Sequence, residues 1–407
     1  MNIKIPRTVI TTVLLLFCSG IAQAQQKQIT IDEAVEIATK NYPTLKIAQF
    51  NVEKEKALKT TAWDFGTTQI FTSADEIGNN NTEEIYTTIG FGQNNIDVFS
   101  VSSKNKLANE NIKLAETQVE LSILEIKRKV QMAWSKAYTK RRIYQAYAKI
   151  DSVFSGLNKA IDLRYETKAI SKLEYNAMAN QGKLISLQKE RAYTNYQMAL
   201  HVLNQYLQSD DLYDVASLNL DNIEKVFLIS NKDLKKHPIF SYWKNREAVT
   251  KAKYKVANAQ FLPKLSAQYR FQKIGNQAGF NGYQIGVEIP LIFNKTKGAA
   301  KASKMKINIV EQENKVNQIE FENTYNNLLL QHNQLQKNWR YYKHDALPLA
   351  IEQRNGAILS YKEGAMDYVA FLQTTKAAIQ LEIDTWQMLH AYLNSTIQLV
   401  YFLTSKS

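Results

Sequence analysis

The 407-residue sequence is 45% hydrophobic and 22% charged, and its formal net charge is +13 at pH 7. That charge is compatible with nucleic-acid binding, but the lysines are spread along predicted helices rather than clustered, which favours a solvated basic surface. The chain contains a single cysteine, Cys18, so a framework of disulfides within one chain is excluded.

The N-terminal segment has the three regions of a secretory signal peptide. Lys4 and Arg7 precede an apolar run over residues 9–17, and the small residue Ala24 closes a suitable cleavage site. We therefore predict a signal peptide over residues 1–24, with cleavage after Ala24.

Cys18 precedes the predicted cleavage site, so the mature chain is expected to carry no thiol. A lipid anchor on this cysteine is disfavoured because Phe17 stands where a lipoprotein signal has a small residue. After residue 24 no apolar run approaches the roughly 18 to 20 residues that a membrane-spanning helix needs. Any insertion of the mature chain into a membrane must therefore use strands.

The first half of the mature chain alternates between helix and hairpin signals. Thr30 and Glu33 have the spacing of a capping box at the start of a first helix. Residues 64–93 are typical of a β-hairpin, with a polar loop over residues 76–84. Between residues 100 and 230 there is no proline and there are only two glycines, which predicts long helices.

The second half repeats this order. Residues 264–290 alternate apolar and polar side chains with period two, which predicts a hairpin of two strands. Between residues 378 and 402 apolar and small residues recur at steps of three and four, a heptad-like seam suited to close helix packing. Helices of about 45 to 60 residues would be roughly 70 to 90 Å long, far beyond the globular mean of about 11 to 12 residues.

Two pairs of positions indicate an internal duplication. Pro43 and Pro238 are 195 residues apart, and Tyr165 and Tyr361 are 196 apart. A hairpin follows each helix that begins near these prolines, so the repeating unit is about 195 residues long. The predicted domains are a first repeat over residues 25–208, a linker over 209–230 and a second repeat over 231–407.

Each predicted repeat contributes two strands, and four strands cannot close a barrel. An open sheet edge in hydrocarbon leaves backbone groups unpaired, at a cost of several kcal/mol for each group. If these strands cross a membrane, several chains must therefore share one barrel.

Four short motifs resemble the TolC outer membrane efflux family, over about residues 28–403. They are DEAVEIATKNYP at 32–43, AQFLP at 259–263, VEIPL at 287–291 and YKEG at 361–364. Their order along the chain carries the resemblance. Residues 364–373, together with IGFGQ at 89–93, are most similar to the branch that serves heavy-metal pumps of the resistance-nodulation-division type.

The resemblance implies a mainly α-helical, TolC-like fold with a small transmembrane β part. Three chains would share a twelve-stranded outer membrane β-barrel, and long antiparallel coiled-coil helices would continue it as an α-barrel through the periplasm. Residues 209–230 and the C-terminal residues would contribute to an equatorial girdle. The implied activity is efflux transmembrane transport through the exit duct of a tripartite system.

The implied partners are two further copies of the chain, a periplasmic adaptor (membrane fusion) protein, an inner membrane pump of the resistance-nodulation-division type and outer membrane lipid. The implied cargo is heavy-metal cations or drugs.

The resemblance also assigns a periplasmic tip, where the family closes its pore and meets the adaptor. The matching positions are Tyr165, Lys168, Ala169 and Ser171 in the first repeat and Tyr361, Gly364 and Asp367 in the second. Lys168 stands where the family usually has glycine, and the first hairpin lacks a counterpart of Pro263. Because of these departures, the resemblance does not specify the backbone geometry of the first tip.

The sequence has no pattern typical of a catalytic centre. The five histidines are scattered without metal-ligand spacing, no glycine-rich phosphate loop follows a strand, and no serine elbow occurs. We therefore expect no enzyme activity, no metal site and no cofactor. Two alternatives to an efflux duct stay open: a duct of the same fold for type I protein or peptide secretion, and a soluble periplasmic coiled-coil scaffold.

Overall fold

The computed structural model describes residues 27–77, 84–220, 234–290 and 294–404. Several sequence predictions lie outside these ranges. They are the signal peptide with Cys18, residues 78–83 of the first hairpin loop, residues 221–230 of the linker and Leu291 of the VEIPL motif.

Long helices account for most of the described residues. In chain order they are α1 (Ile31–Asn41), α2 (Pro43–Leu58), α3 (Val101–Glu166), α4 (Lys172–Leu207), α5 (Pro238–Ala259), α6 (Asn294–Tyr341), α7 (Leu347–Lys362) and α8 (Tyr368–Leu403). Short 3-10 helices cover Lys59–Ala62 and Leu234–Lys236, and a π-helix, Tyr342–Ala346, joins α6 to α7. The helix α3 has 66 residues and α6 has 48, which confirms the prediction of unusually long helices. Within the described ranges, no helix has the length and apolar content needed to cross a bilayer.

In the described part of the chain, six strands form two separate sheets. The strands are β1 (Lys27–Ile29), β2 (Thr67–Ile77), β3 (Glu84–Ile96), β4 (Tyr213–Val215), β5 (Lys264–Ile274) and β6 (Gln277–Glu288). The two predicted hairpins are present and pair through β3 and β5 into one antiparallel sheet of order β2-β3-β5-β6. The short parallel pair of β1 with β4 was not predicted, because three residues are too few for a period-two pattern.

The chain folds into two compact units. Among the described residues, the first unit contains 27–42, 126–220 and 331–398, and the second contains 43–77, 84–125, 234–290, 294–330 and 399–404. Each unit takes segments from both halves of the sequence. The division into two sequence repeats therefore stays a prediction.

In the first unit the parallel pair is attached to the long helices by specific hydrogen bonds. Trp134 of α3 is fully buried, and its Nε1 donates to the carbonyl oxygen of Ile29 at 3.0 Å. Asn204 of α4 donates to the carbonyl oxygen of Tyr213 at 2.9 Å. The predicted capping box is confirmed at the start of α1, where the Glu33 N–H donates to Thr30 Oγ1 and the Thr30 N–H donates to the Glu33 carboxylate.

The second unit contains the four-stranded sheet and the helical segments next to it. The start of α3 is fixed by Asp97, whose carboxylate accepts from the Ser100 N–H at 3.1 Å and pairs with Lys104 at 2.8 Å. Satisfying the N–H of the residue before the helix in this way lets α3 begin after only four intervening residues. The unit thereby joins strand and helix with almost no loop.

Candidate functional site

The first helix reversal, residues 167–171 between α3 and α4, ends α3 with a Schellman motif. The Ala169 N–H donates to the Arg164 carbonyl at 2.8 Å, and the Lys168 N–H donates to the Tyr165 carbonyl at 3.0 Å. Lys168 has a positive φ of 58°, the left-handed conformation that this motif requires. The lysine therefore adopts the geometry that the family usually gives to glycine.

The second helix reversal, residues 363–367 between α7 and α8, has the same hydrogen bonds 196 residues later. The Ala365 N–H donates to the Ser360 carbonyl at 2.9 Å, and the Gly364 N–H donates to the Tyr361 carbonyl at 3.3 Å. Gly364 has a φ of 76°, which glycine adopts without the steric cost of a Cβ. The two reversals are thus equivalent in backbone structure.

Each reversal ends on an N-cap. Ser171 Oγ accepts from the Glu174 N–H at 3.1 Å, and Glu174 completes a capping box by accepting from the Ser171 N–H at 2.8 Å. At the second reversal Asp367 Oδ1 accepts from the Ala370 N–H at 2.9 Å. A side-chain cap of this kind stabilises a helix by about 0.5–2 kcal/mol. Ser171 and Asp367 therefore fix where α4 and α8 begin.

A buried aromatic pair lies beneath the second reversal. Tyr361 is 5% exposed and stacks on the fully buried Phe371 of α8, with ring centroids 4.5 Å apart. Its hydroxyl lies 3.6 Å from the Met178 sulfur of α4. The guanidinium carbon of Arg164 lies 5.3 Å from the centroid of the Tyr361 ring, within the range of a cation–π contact. Burial raises the pKa of Tyr361, and the Arg164 charge opposes that rise.

Tyr165, the counterpart of Tyr361, has a different environment. It is 37% exposed and stacks on Tyr175 of α4, with ring centroids 4.6 Å apart. The other predicted tip residues, Lys168, Ala169, Ser171, Gly364 and Asp367, are also exposed. Tyr361 alone among the seven is inside the helix packing, where it contacts side chains of α3, α4 and α8.

Some contacts that hold this region together were not predicted from the sequence. Arg164 and Met178 contact Tyr361 from α3 and α4. Arg354 of α7 and Glu382 of α8 form a buried ion pair, each 8% exposed at its side chain. A signal for Arg354 exists, because it lies in a buried 4-3-4 stripe with Ala350, Ala357 and Tyr361. A charged residue in such a stripe indicates a buried partner.

The described ranges contain no group of three or more His, Cys, Asp or Glu side chains that could hold a metal ion. The two reversals themselves consist of exposed polar side chains, two N-caps and one buried aromatic cluster.

Comparison with solved structures identifies the fold of the chain, whereas comparison of its sequence with known proteins finds no match. The chain matches no protein-family model, and no curated protein matches its sequence. Solved structures do match. One is CusC, whose crystal structures concern folding and transmembrane channel formation, with a TM-score of 0.75, 14% identity and 92% of each chain covered. Another is the outer membrane channel CmeC of Campylobacter jejuni, with a TM-score of 0.74, 13% identity, and 92% of this chain and 85% of that chain covered.

A third is the outer membrane channel MtrE of Neisseria gonorrhoeae in its open state, with a TM-score of 0.68, 15% identity, and 92% of this chain and 88% of that chain covered. The chain has the TolC-like fold. The resemblance seen in the four motifs is thereby confirmed at the level of fold. At identities of 13% to 15%, the role of each residue in this TolC-like chain has to be argued from its own contacts.

Gly364→Ala tests the requirement for a positive φ at the second reversal. Nothing lies within 4 Å of a Cβ added at this position, so the cost comes from the backbone alone and is about 1–2 kcal/mol. We expect a lower apparent midpoint in thermal unfolding followed by far-UV circular dichroism.

Gly356→Ala is the matched control, because Gly356 lies in the middle of α7 with nothing within 4 Å of an added Cβ. Alanine in a helix interior is favoured over glycine by about 0.5–1 kcal/mol, so this variant should unfold at the same or a higher temperature. A midpoint that falls equally in both variants would contradict the left-handed conformation at Gly364.

Proposed function

We propose that the chain is a passive outer membrane channel, the exit duct of a tripartite efflux system. The observation that carries this proposal is the four-stranded sheet, which has one exposed apolar face. On this face Ile70 is 82% exposed, Tyr283 is 79% exposed and Ile285 is 77% exposed. A soluble protein rarely exposes so large a contiguous apolar surface.

The register of the sheet places these side chains together. Ile70 is opposite Phe91, and Phe91 is opposite Tyr269, which is opposite Tyr283. Ile285 is two positions farther along β6, on the same face. The other face is mostly glutamine, serine, threonine and glycine, and it also carries Phe71 and Arg270. Apolar residues on one face and polar residues on the other are typical of strands that separate lipid from a water-filled channel.

The open edges of the sheet support assembly from several copies. The outer strands β2 and β6 have no further strand partner among the described residues. Backbone groups at such an edge are costly in hydrocarbon and must pair. Three copies would close a twelve-stranded barrel by pairing β6 of one chain with β2 of the next, which fits the TolC-like fold.

In this proposal the long helices form the periplasmic tunnel and the two reversals form its far end. The exposed residues Tyr165, Lys168, Ala169, Ser171, Gly364 and Asp367 would meet the adaptor protein. Tyr361 would act from inside, because its ring ties the end of α7 to α8 and α4. Loss of that packing would let the helix ends separate and open the pore.

The partners follow from the same role. An inner membrane pump of the resistance-nodulation-division type would supply the energy, a periplasmic adaptor would connect pump and duct, and cargo would pass without a cofactor in this chain. The cargo proposed from the sequence is heavy-metal cations or drugs. Type I protein secretion would use the same duct and differ only in the pump. A soluble scaffold is disfavoured, because it would leave the apolar face of the sheet in water.

Ile285→Asp tests the lipid-facing side of the sheet. A carboxylate in hydrocarbon loses its hydration without gaining a partner, so this variant is expected to be depleted from the outer membrane fraction several-fold relative to the unmodified protein. Gln284→Asp is the control, since it places the same charge on the adjacent residue of the opposite, polar face and should assemble nearly normally. Equal amounts of the two variants in the outer membrane would rule out this orientation of the strands.

Tyr361→Leu tests the closed end. Leucine keeps an apolar side chain in the cluster but removes the ring that stacks on Phe371, so we expect a higher single-channel conductance in planar lipid bilayers. Tyr165→Leu, at the exposed counterpart, should change conductance less. If neither variant alters conductance while both remain assembled, the reversals do not restrict the pore.

A further inference from the structure

On the polar face of the sheet, one row of residues that lie opposite one another on the four strands contains a single positively charged side chain, Arg270. The row crosses all four strands in register and consists of Phe71 on β2, Gly90 on β3, Arg270 on β5 and Gly282 on β6. Arg270 therefore has a glycine opposite it on both neighbouring strands.

The two glycines leave space for large side chains. A Cβ at Gly90 would lie 2.5 Å from Cζ of Phe71, so only glycine lets this ring lie across the strand. A Cβ at Gly282 would lie 3.7 Å from Nε of Arg270, so the arginine lies over this glycine on the polar face. The Nε atom has no hydrogen-bond partner.

The rows on either side are uncharged. Toward the helices the next row is Gln69, Gly92, Gln268 and Gln284, and toward the hairpin ends it is Ser73, Thr88, Gln272 and Phe280. In the first of these rows the amides bond to Asn94, which donates to Gln69 Oε1 at 2.8 Å and accepts from Gln268 at 3.4 Å.

Other described charges of the polar face lie near its two ends. Lys264 on β5 is directly opposite Glu288 on β6, so these two charges offset each other. Asp75 on β2 lies two rows from Arg270 toward the hairpin ends. Among the described residues of the three central rows, Arg270 is the only charged side chain.

We propose that Arg270 gives the channel a preference for anions. This inference rests on the proposed function, because only a closed barrel of three copies turns the polar face into a channel wall. Three copies place three guanidinium groups at one level of the channel. Rings of arginine or lysine favour anions over cations in pores, and arginine stays charged at every physiological pH.

The cargo class follows from this charge. Free heavy-metal cations would have to pass three positive charges that no described carboxylate in the central rows offsets. Organic anions would be attracted to the same level, and the neighbouring Phe71 ring offers them an apolar contact. Organic anions therefore fit this channel better than free metal cations do.

The test is the zero-current potential of the mature protein in planar bilayers across a potassium chloride gradient. At roughly 0.1 M salt, where the screening length is about 10 Å, we expect chloride to be about threefold more permeant than potassium. The preference should weaken at about 1 M salt, where the screening length is about 3 Å.

Variants separate Arg270 from the general basic character of the chain. Arg270→Gln should abolish the anion preference, and Arg270→Glu should reverse it. Lys273→Gln removes the same charge from the same strand, but Lys273 is exposed on the opposite face, so this variant should keep the preference. The set is repeated with Tyr361→Leu, in which the far end is expected to be open, so that a narrow tip cannot hide the effect.

The outcomes distinguish this inference from the proposed function. If the protein conducts but Arg270→Gln leaves the zero-current potential unchanged in both backgrounds, Arg270 does not set selectivity, and the channel itself still stands. If Lys273→Gln changes the potential as much as Arg270→Gln does, the assignment of faces is wrong. If the unmodified protein inserts into no bilayer and shows no conductance, the proposed channel function is contradicted, and the inference about Arg270 falls with it.

Discussion

The constraint on which the proposed architecture depends is the pairing of backbone groups at the edges of one small sheet. The order β2-β3-β5-β6 leaves β2 and β6 without a strand partner among the described residues, and one face of the sheet is apolar. Lipid can cover that face but cannot pair the edges. A channel shared among several copies of the chain satisfies both requirements.

Much of the fold could be predicted from local patterns. The hairpins follow from period-two alternation between glycine-rich turns, and the long helices follow from the absence of proline and the scarcity of glycine between residues 100 and 230. The capping box at Thr30 follows from a spacing of three residues. The pairing of β3 with β5 is less visible, because it joins strands about 180 residues apart and no local signal specifies it.

The candidate site shows where such patterns stop being informative. Lys168 stands where the second reversal has Gly364, yet its backbone adopts the same left-handed conformation. Hydrogen bonds and the N-cap at Ser171 evidently compensate for the cost of a Cβ there. In contrast, Tyr165 and Tyr361 correspond in sequence but differ in burial, because only Tyr361 has Phe371 and Met178 as neighbours. Contacts between distant helices set that difference.

The most direct test of the shared channel is the mass and detergent requirement of the mature protein extracted from outer membranes. The proposal predicts a species with three copies of the chain that stays monodisperse only in detergent or a lipid disc, because the apolar face of the sheet needs a hydrophobic surrounding. A monodisperse, water-soluble single chain would contradict it, since neither the face nor the edges of the sheet could then lie in a membrane.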